Sequence, residues 1–200
     1  MDYINYVKQK PFTGITGFGG GATGLQFQSA GAKFVTGGTR GAWGGGNPHE
    51  MPGPGPKYRV IDYIQIATTG NASSFGDLTA QKFGIAGASN QTRGVYIAGG
   101  KPGSPTISNV MDYITFSSIG NATDFGDTFE RIYSRAGCSD GSEGNRGLYW
   151  GGYPTPSGTL TNKIGYINIS STGNSQDFGD TTDNTGSGQA WADSTRGCFN

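Results

Sequence analysis

Three aspartates close identical Phe-Gly-Asp tripeptides (Asp77, Asp127 and Asp180), and four arginines each precede a glycine (Arg40, Arg93, Arg146 and Arg196). Carboxylates at a fixed spacing could hold calcium, which takes about six to eight oxygen ligands, many from alternating loop positions. Gly120-Asn121-Ala122-Thr123-Asp124-Phe125-Gly126-Asp127 supplies too few oxygens in that order. Repetition points to a brace instead, Arg to Asp or Asp to backbone, because catalysis needs a group once and a brace is needed in every unit. His49 is the only histidine, so neither a clustered metal site nor a Ser-His-Asp or Cys-His arrangement finds its usual partner. It lies in Asn47–Lys57, the longest of the variable loops, and reads as a solvated residue that could at most touch a ligand. Cys138 falls in the slot of Ala32 and Ala88, and Cys198 in that of Ala42, Val95 and Leu148. Both therefore read as free thiols packed like small apolar residues. The glycine runs lack the Lys-Ser/Thr of a phosphate loop. Asn71, Asn90 and Asn121 match the glycosylation pattern, which matters only in a secretory pathway.

These residues recur because the chain repeats. Asp62-Tyr63-Ile64 returns as Asp112-Tyr113-Ile114 and as Gly165-Tyr166-Ile167, and the sequence opens on Asp2-Tyr3-Ile4. The Arg-Gly pairs are spaced by 53, 53 and 50 residues. A period near 50 is the signature of a repeat architecture. Each unit carries four strand-like segments. An apolar run follows Arg-Gly and ends in glycines, as in Val95-Tyr96-Ile97-Ala98-Gly99-Gly100. After a variable loop, the Asp-Tyr-Ile segment alternates polar and apolar side chains with the period of a strand. Gly-Asn then marks a turn. Phe-Gly-Asp follows, and last comes a small-residue segment such as Ala86-Gly87-Ala88. No sustained helical period appears, so helices should be nearly absent.

Four short antiparallel strands repeated radially make the blades of a β-propeller. The small Ala/Gly strand suits the crowded innermost position. Trp43, Tyr96, Tyr149 and Phe199, three residues after each Arg, should pack between blades, and Tyr3, Tyr63, Tyr113 and Tyr166 should form a second ring. The sequence starts on the Asp-Tyr-Ile strand and stops on the strand before it, at Arg196-Gly197-Cys198-Phe199-Asn200. The expectation is a single all-β domain over residues 1–200, with repeats at about 1–46, 61–100, 111–152 and 164–200. Four blades of four antiparallel strands result, the closing blade shared by the N- and C-termini. The first copy lacks Gly-Asn and Phe-Gly-Asp, as terminal repeats often do.

Composition narrows the function. Lys plus Arg and Asp plus Glu both number 14, a balance that argues against a nucleic-acid partner, where a basic face supplies most of the affinity, and against a polybasic membrane patch. A chain of zero net charge lacks repulsion against its own copies, which suits a subunit of an assembly. No apolar run is long enough to span a bilayer, and Met1–Lys10 lacks the layout of a signal peptide. The variable loops Asn47–Lys57, Lys101–Ser108 and Tyr153–Thr161 are where a rigid scaffold would carry binding. Trp150 and Tyr153 flank one of them and could stack on a sugar ring, or Trp150 could pack between blades.

The double glycine followed by an Asp-Tyr strand resembles the Kelch propeller repeat. The fuller pattern, Arg-Gly-(apolar)-Gly-Gly, Asp-Tyr-Ile, then Gly-Asn-Ala-Thr-Asp-Phe-Gly-Asp, resembles Kelch-like repeats of virion proteins from marine tailed bacteriophages, particularly those of cyanobacteria. The resemblance covers nearly all of the chain from Gly38 onward. It implies a location on the virion, after synthesis in the bacterial host cytoplasm. Kelch propellers resembling galactose oxidase need a copper site with histidines, which this sequence lacks. The expected role is a non-enzymatic binding module without cofactor, in a tail fibre, tail tip or capsid decoration. Its partners would be other virion proteins, its own copies or a host-surface glycan. The alternative is a structural subunit that self-assembles into a filament or lattice.

Overall fold

A computed structural model describes residues 39–46, 59–101, 107–133, 136–141, 144–154, 159–186 and 188–199. Among them every regular element is a β-strand, every pairing between strands is antiparallel, and no helix occurs. The first sheet runs β1 (Arg40–Gly44), β2 (Val60–Gln65), β3 (Ser73–Asp77). The second runs β4 (Ala86–Ser89), β5 (Arg93–Gly100), β6 (Ile107–Thr115), β7 (Thr123–Asp127). A short β8 (Ile132–Tyr133) leads to a third sheet that begins with β9 (Ala136–Ser139) and β10 (Arg146–Trp150). After β11 (Tyr153–Pro154), which pairs with β8, that sheet continues with β12 (Lys163–Asn168) and β13 (Gln176–Asp180). β14 (Ala190–Ala192) and β15 (Gly197–Phe199) form a two-stranded fourth sheet. In the complete sheets the small-residue strand holds one edge and Phe-Gly-Asp the other, with strands in sequence order. Ala30-Gly31-Ala32, Tyr3 and His49 lie outside the described residues.

Local chemistry explains the hairpins. The turn between the small-residue strand and the Arg-Gly strand is closed by an Asx residue. Asn90 Oδ1 accepts the N–H groups of Thr92 and Arg93 at 3.0 and 2.9 Å, and Asp193 does the same for Thr195 and Arg196 at 2.7 Å each. The Gly-Gly segments end strands by entering the left-handed region, with φ +63 at Gly151 and +106 at Gly152. Ala98 takes the same turn at φ 53, in the slot held by Gly45 and Gly151 elsewhere.

The Asp-Tyr-Ile strand pairs out of step with the Phe-Gly-Asp strand at one place in each of the three large sheets. Register shifts between Ile61 and Asp62, between Met111 and Asp112, and between Ile164 and Gly165. Phe75, Phe125 and Phe178 are the residues left without a cross-strand partner, each followed by a glycine at positive φ. This is a β-bulge, which bends the strand and re-aims its side chains.

The core lies between sheets. Ile61, Phe75 and Leu78 from the first repeat pack with Tyr96, Ile114 and Ala122 of the second. Met111 and Phe125 of the second pack with Tyr149, Ile167 and Ile169 of the third. Tyr96 and Tyr149 thus sit where the repeat pattern puts them, and Phe199 packs on Trp150 with ring centroids 4.7 Å apart. Trp43 is the exception, 50% exposed, because no earlier sheet lies among the described residues. The small residues mark where neighbouring sheets touch. A Cβ on Gly137 would lie 2.6 Å from Gly87 O, and one on Gly147 would lie 2.7 Å from Ala88 Cβ. Ser139 Oγ also donates to Ser89 O at 2.7 Å. Residues of four of the five sheets, Arg40, Val95, Cys138 and Trp191 among them, line one cavity of about 640 Å3.

Two internal contrasts show what the sheets require. Lys82 and Asp112 form an ion pair at 2.7 Å, both fully buried, with Thr79 Oγ1 donating to Asp112 at 2.5 Å and Lys82 Nζ to Val110 O at 2.9 Å. Burial lowers the Lys82 pKa against the opposing pull of Asp112. One repeat later the same slots hold Ile132 and Gly165, and both charges are gone together. Likewise Tyr149 OH bonds Ser175 Oγ at 2.6 Å, whereas Tyr96 OH is buried without a partner because its slot carries Ala122. Breaking a buried pair from one side costs about 3–5 kcal/mol, whereas removing both charges costs far less. Lys82→Ile and Asp112→Gly should each destabilise in that range by urea unfolding, and the double variant should lose clearly less than the sum of the two.

Candidate functional site

The repeated polar residues converge on the seams between sheets. In the first seam the bulged strand β3 bonds to the Gly-Asn turn of the following repeat. Gly120 N–H donates to Phe75 O at 2.9 Å, Ala122 N–H to Asp77 O at 2.8 Å, and Asp77 N–H to Asn121 Oδ1 at 3.0 Å. The second seam repeats the set one for one. Gly173 N–H donates to Phe125 O at 2.8 Å, Ser175 N–H to Asp127 O at 2.9 Å, and Asp127 N–H to Asn174 Oδ1 at 2.9 Å. The approach is so close that a Cβ on Gly76 or Gly126 would lie 2.3 or 2.5 Å from the carbonyl oxygen of Gly120 or Gly173. With φ +136 at Gly126, no other residue fits.

The arginines complete each seam. The guanidinium carbons of Arg40, Arg93 and Arg146 lie 5.1, 4.8 and 5.2 Å from the ring centroids of Tyr63, Tyr113 and Tyr166. Each tyrosine meets the bulged phenylalanine edge-on, at 5.7, 6.0 and 6.1 Å between centroids. From that stack the arginine reaches across to the next sheet. Arg40 donates to Phe116 O, and Arg93 to Ser170 O at 2.9 Å and Ile169 O at 3.4 Å. A cation over an aromatic face contributes about 0.5–2 kcal/mol, more as water is excluded.

Of the two braces expected, Arg to Asp and Asp to backbone, the first is not formed. The Phe-Gly-Asp carboxylates do not meet the repeated arginines. Asp77 faces Arg59 at 3.4 Å in a half-buried pair, and Asp180 faces Lys163 at 3.0 Å in a more open one. The aspartates serve through their backbone groups, and the side chains that reach them are Asn121 and Asn174. Sequence reasoning took Gly-Asn only as a turn former. The signal that could have revealed more was its constant offset from Phe-Gly-Asp.

The residues proposed to meet a ligand fare differently. Trp150 is 2% exposed and covered by Phe199, so it has no face to offer a sugar. Tyr153 is half-buried and stacked on Tyr133 at 5.4 Å. Among the described residues no three His, Cys, Asp or Glu side chains gather as a metal site. No helix among the described residues is long and apolar enough to cross a membrane. Cys138 and Cys198 are free thiols, the first buried and the second exposed. Burial pushes the Cys138 thiol up to about 11. The chain matches no protein-family model and no curated protein.

Two outcomes follow. Asn121→Ala should destabilise by about 1 kcal/mol, the worth of one hydrogen bond, and Gly126→Ala by more than about 2 kcal/mol. Thermal unfolding of the two variants checks this. At pH 8 the Cys138 thiolate fraction is on the order of one in a thousand. A thiol reagent followed by mass spectrometry should therefore leave Cys138 unlabelled until the chain is unfolded.

Proposed function

We propose that the chain is a four-bladed, Kelch-like β-propeller whose closing blade is shared by its two ends, serving as a non-enzymatic binding module of a phage particle. The observation that carries this reading is where the repeated polar groups go. Arg40, Arg93, Asn121 and Asn174, and the backbone of Asp77 and Asp127, are committed to holding one sheet against the next. Groups used once per seam are structural, and chemistry is left to what differs between repeats.

What differs is the loop after each Gly-Gly. Successive sheets share strand order and register, so these loops leave the array at the same end. With Trp150 and the face of Tyr153 occupied, the contact surface is the loops themselves, Asn47–Lys57 with His49 foremost by length. A tail-fibre, tail-tip or capsid-decoration position fits such a surface, facing host glycan or neighbouring virion proteins. The half-exposed Trp43 and Ile66 together with zero net charge favour a second reading, a subunit that self-assembles into a filament or lattice.

Replacing Asn47–Lys57 by a Gly/Ser segment of equal length should leave the melting temperature within about 2 °C, since surface changes are worth under about 0.5 kcal/mol. The same variant should lose binding to host cells, or to purified particles, measured by pull-down. Retained binding sinks the loop assignment. Concentration-dependent polymerisation of the purified chain at micromolar levels favours the second reading.

A further inference from the structure

One seam is built and left half empty. On the third sheet Tyr166 carries Arg146 on one face and Phe178 on its edge, as in the two sheets before it. Yet Phe178 is 51% exposed where Phe75 and Phe125 are each 2% exposed. The Arg146 guanidinium donates to no carbonyl among the described residues, and a Cβ on Gly179 would meet nothing within 4 Å. Beside them lies a cleft of about 460 Å3, lined by Arg146, Leu148, Tyr166, Phe178, Arg196 and Phe199. β15 forms its far wall and, among the described residues, is paired on one edge only, with β14. In the filled seams this space holds Ile114 and Phe116, or Ile167 and Ile169, from the strand that would pair with that edge.

We infer that this cleft is the acceptor for the chain's own N-terminal segment, Asp2–Phe12, docked in one defined register. The inference rests on the radial reading of the sheets and specifies what closes them. Counting from the repeated tyrosine puts Ile4 in the slot of Ile114 and Ile167, and Tyr6 in that of Phe116 and Ile169. Arg146 then donates to the Tyr6 carbonyl, as Arg40 does to Phe116 O and Arg93 does next to Ile169. Arg196 stacks on Tyr3. The register of the other sheets pairs Ala42 with Tyr63, Val95 with Tyr113 and Leu148 with Tyr166, so Cys198 pairs with Tyr3. Further along, Lys10 and Phe12 fall on the two positions whose N–H groups clasp the bulged strand, Gly120 and Ala122 in the first seam. Between them stands Pro11, at the one position whose N–H makes no such bond, so a residue without a donor is accommodated there.

The register gives its own test, because a cysteine already stands on the acceptor. In a Cys138→Ala background, Tyr3→Cys should form an intramolecular disulfide with Cys198 on mild oxidation. It would be seen as a reducible, faster-migrating monomer band with the 3–198 cross-link in its peptide map. Ile4→Cys, opposite Gly197, should give none. Linked dimers and higher species would overturn the assignment to the same chain in favour of exchange between copies. Absence of any link would overturn the docking. Should Tyr3→Cys not fold, hydrogen exchange on the unmodified chain decides: slow exchange along residues 2–6, matching 61–65, supports the register, and fast exchange refutes it. Small-angle scattering on the same samples separates the two levels. A compact disc without the link sinks this inference alone, whereas an extended open profile sinks the radial reading too.

Discussion

A bulged edge strand hands its carbonyls and one N–H to the turn of the next sheet, and the rest of the array depends on that transfer. An edge strand exposes a row of unpaired backbone groups, which invites uncontrolled pairing with other chains. Here the outer edge of one repeat is covered by the Gly-Asn turn of the next, through three hydrogen bonds in each of two seams. The bulge makes this possible by taking Phe75 and Phe125 out of their own ladder, and glycine makes it close enough by offering no Cβ. Each repeat is too small to bury its apolar face alone, so stability is shared with its neighbours, as in other repeat proteins.

Around that constraint the side chains divide into two kinds. Those of the stack, Arg-Tyr-Phe, recur in every complete sheet because each must span the same gap. Those packed deeper vary in compensating sets. The Lys82–Asp112 pair gives way to Ile132 and Gly165 one repeat later, and a satisfied Tyr149–Ser175 bond stands where Tyr96 faces Ala122 without a partner. The chain thus holds more than one solution to the same packing problem. None of these variations reaches the loops after Gly-Gly, which differ in length and sequence while the sheets do not.

The unequal ends of the array carry the remaining information. At one end Trp43 and Ile66 are half exposed, and at the other Phe178 and Arg146 present a seam that the described residues fill on one side only. A repeat array of this kind gains its rigidity only when every seam is filled.

Strand identity, order and spacing were legible in the sequence because period-two alternation, turn residues and a 50-odd-residue repeat are local or periodic properties. The placing of Tyr96 and Tyr149 between sheets followed from the same repeat. What could not be read was partner choice. Arg40 and Arg93 have an aspartate at every repeat to suggest a pairing, yet they bond carbonyls of the following sheet. Asn121 looks like a turn residue but serves the previous sheet's backbone. Trp150 sits beside a loop in sequence and under Phe199 in space. Sequence alone determined the repeating unit, since hydrophobic period and turn chemistry act within a few residues. Only the tertiary structure decided which polar groups meet across a seam, because those contacts join residues 44 to 77 positions apart, whose distance the chain's local preferences do not set.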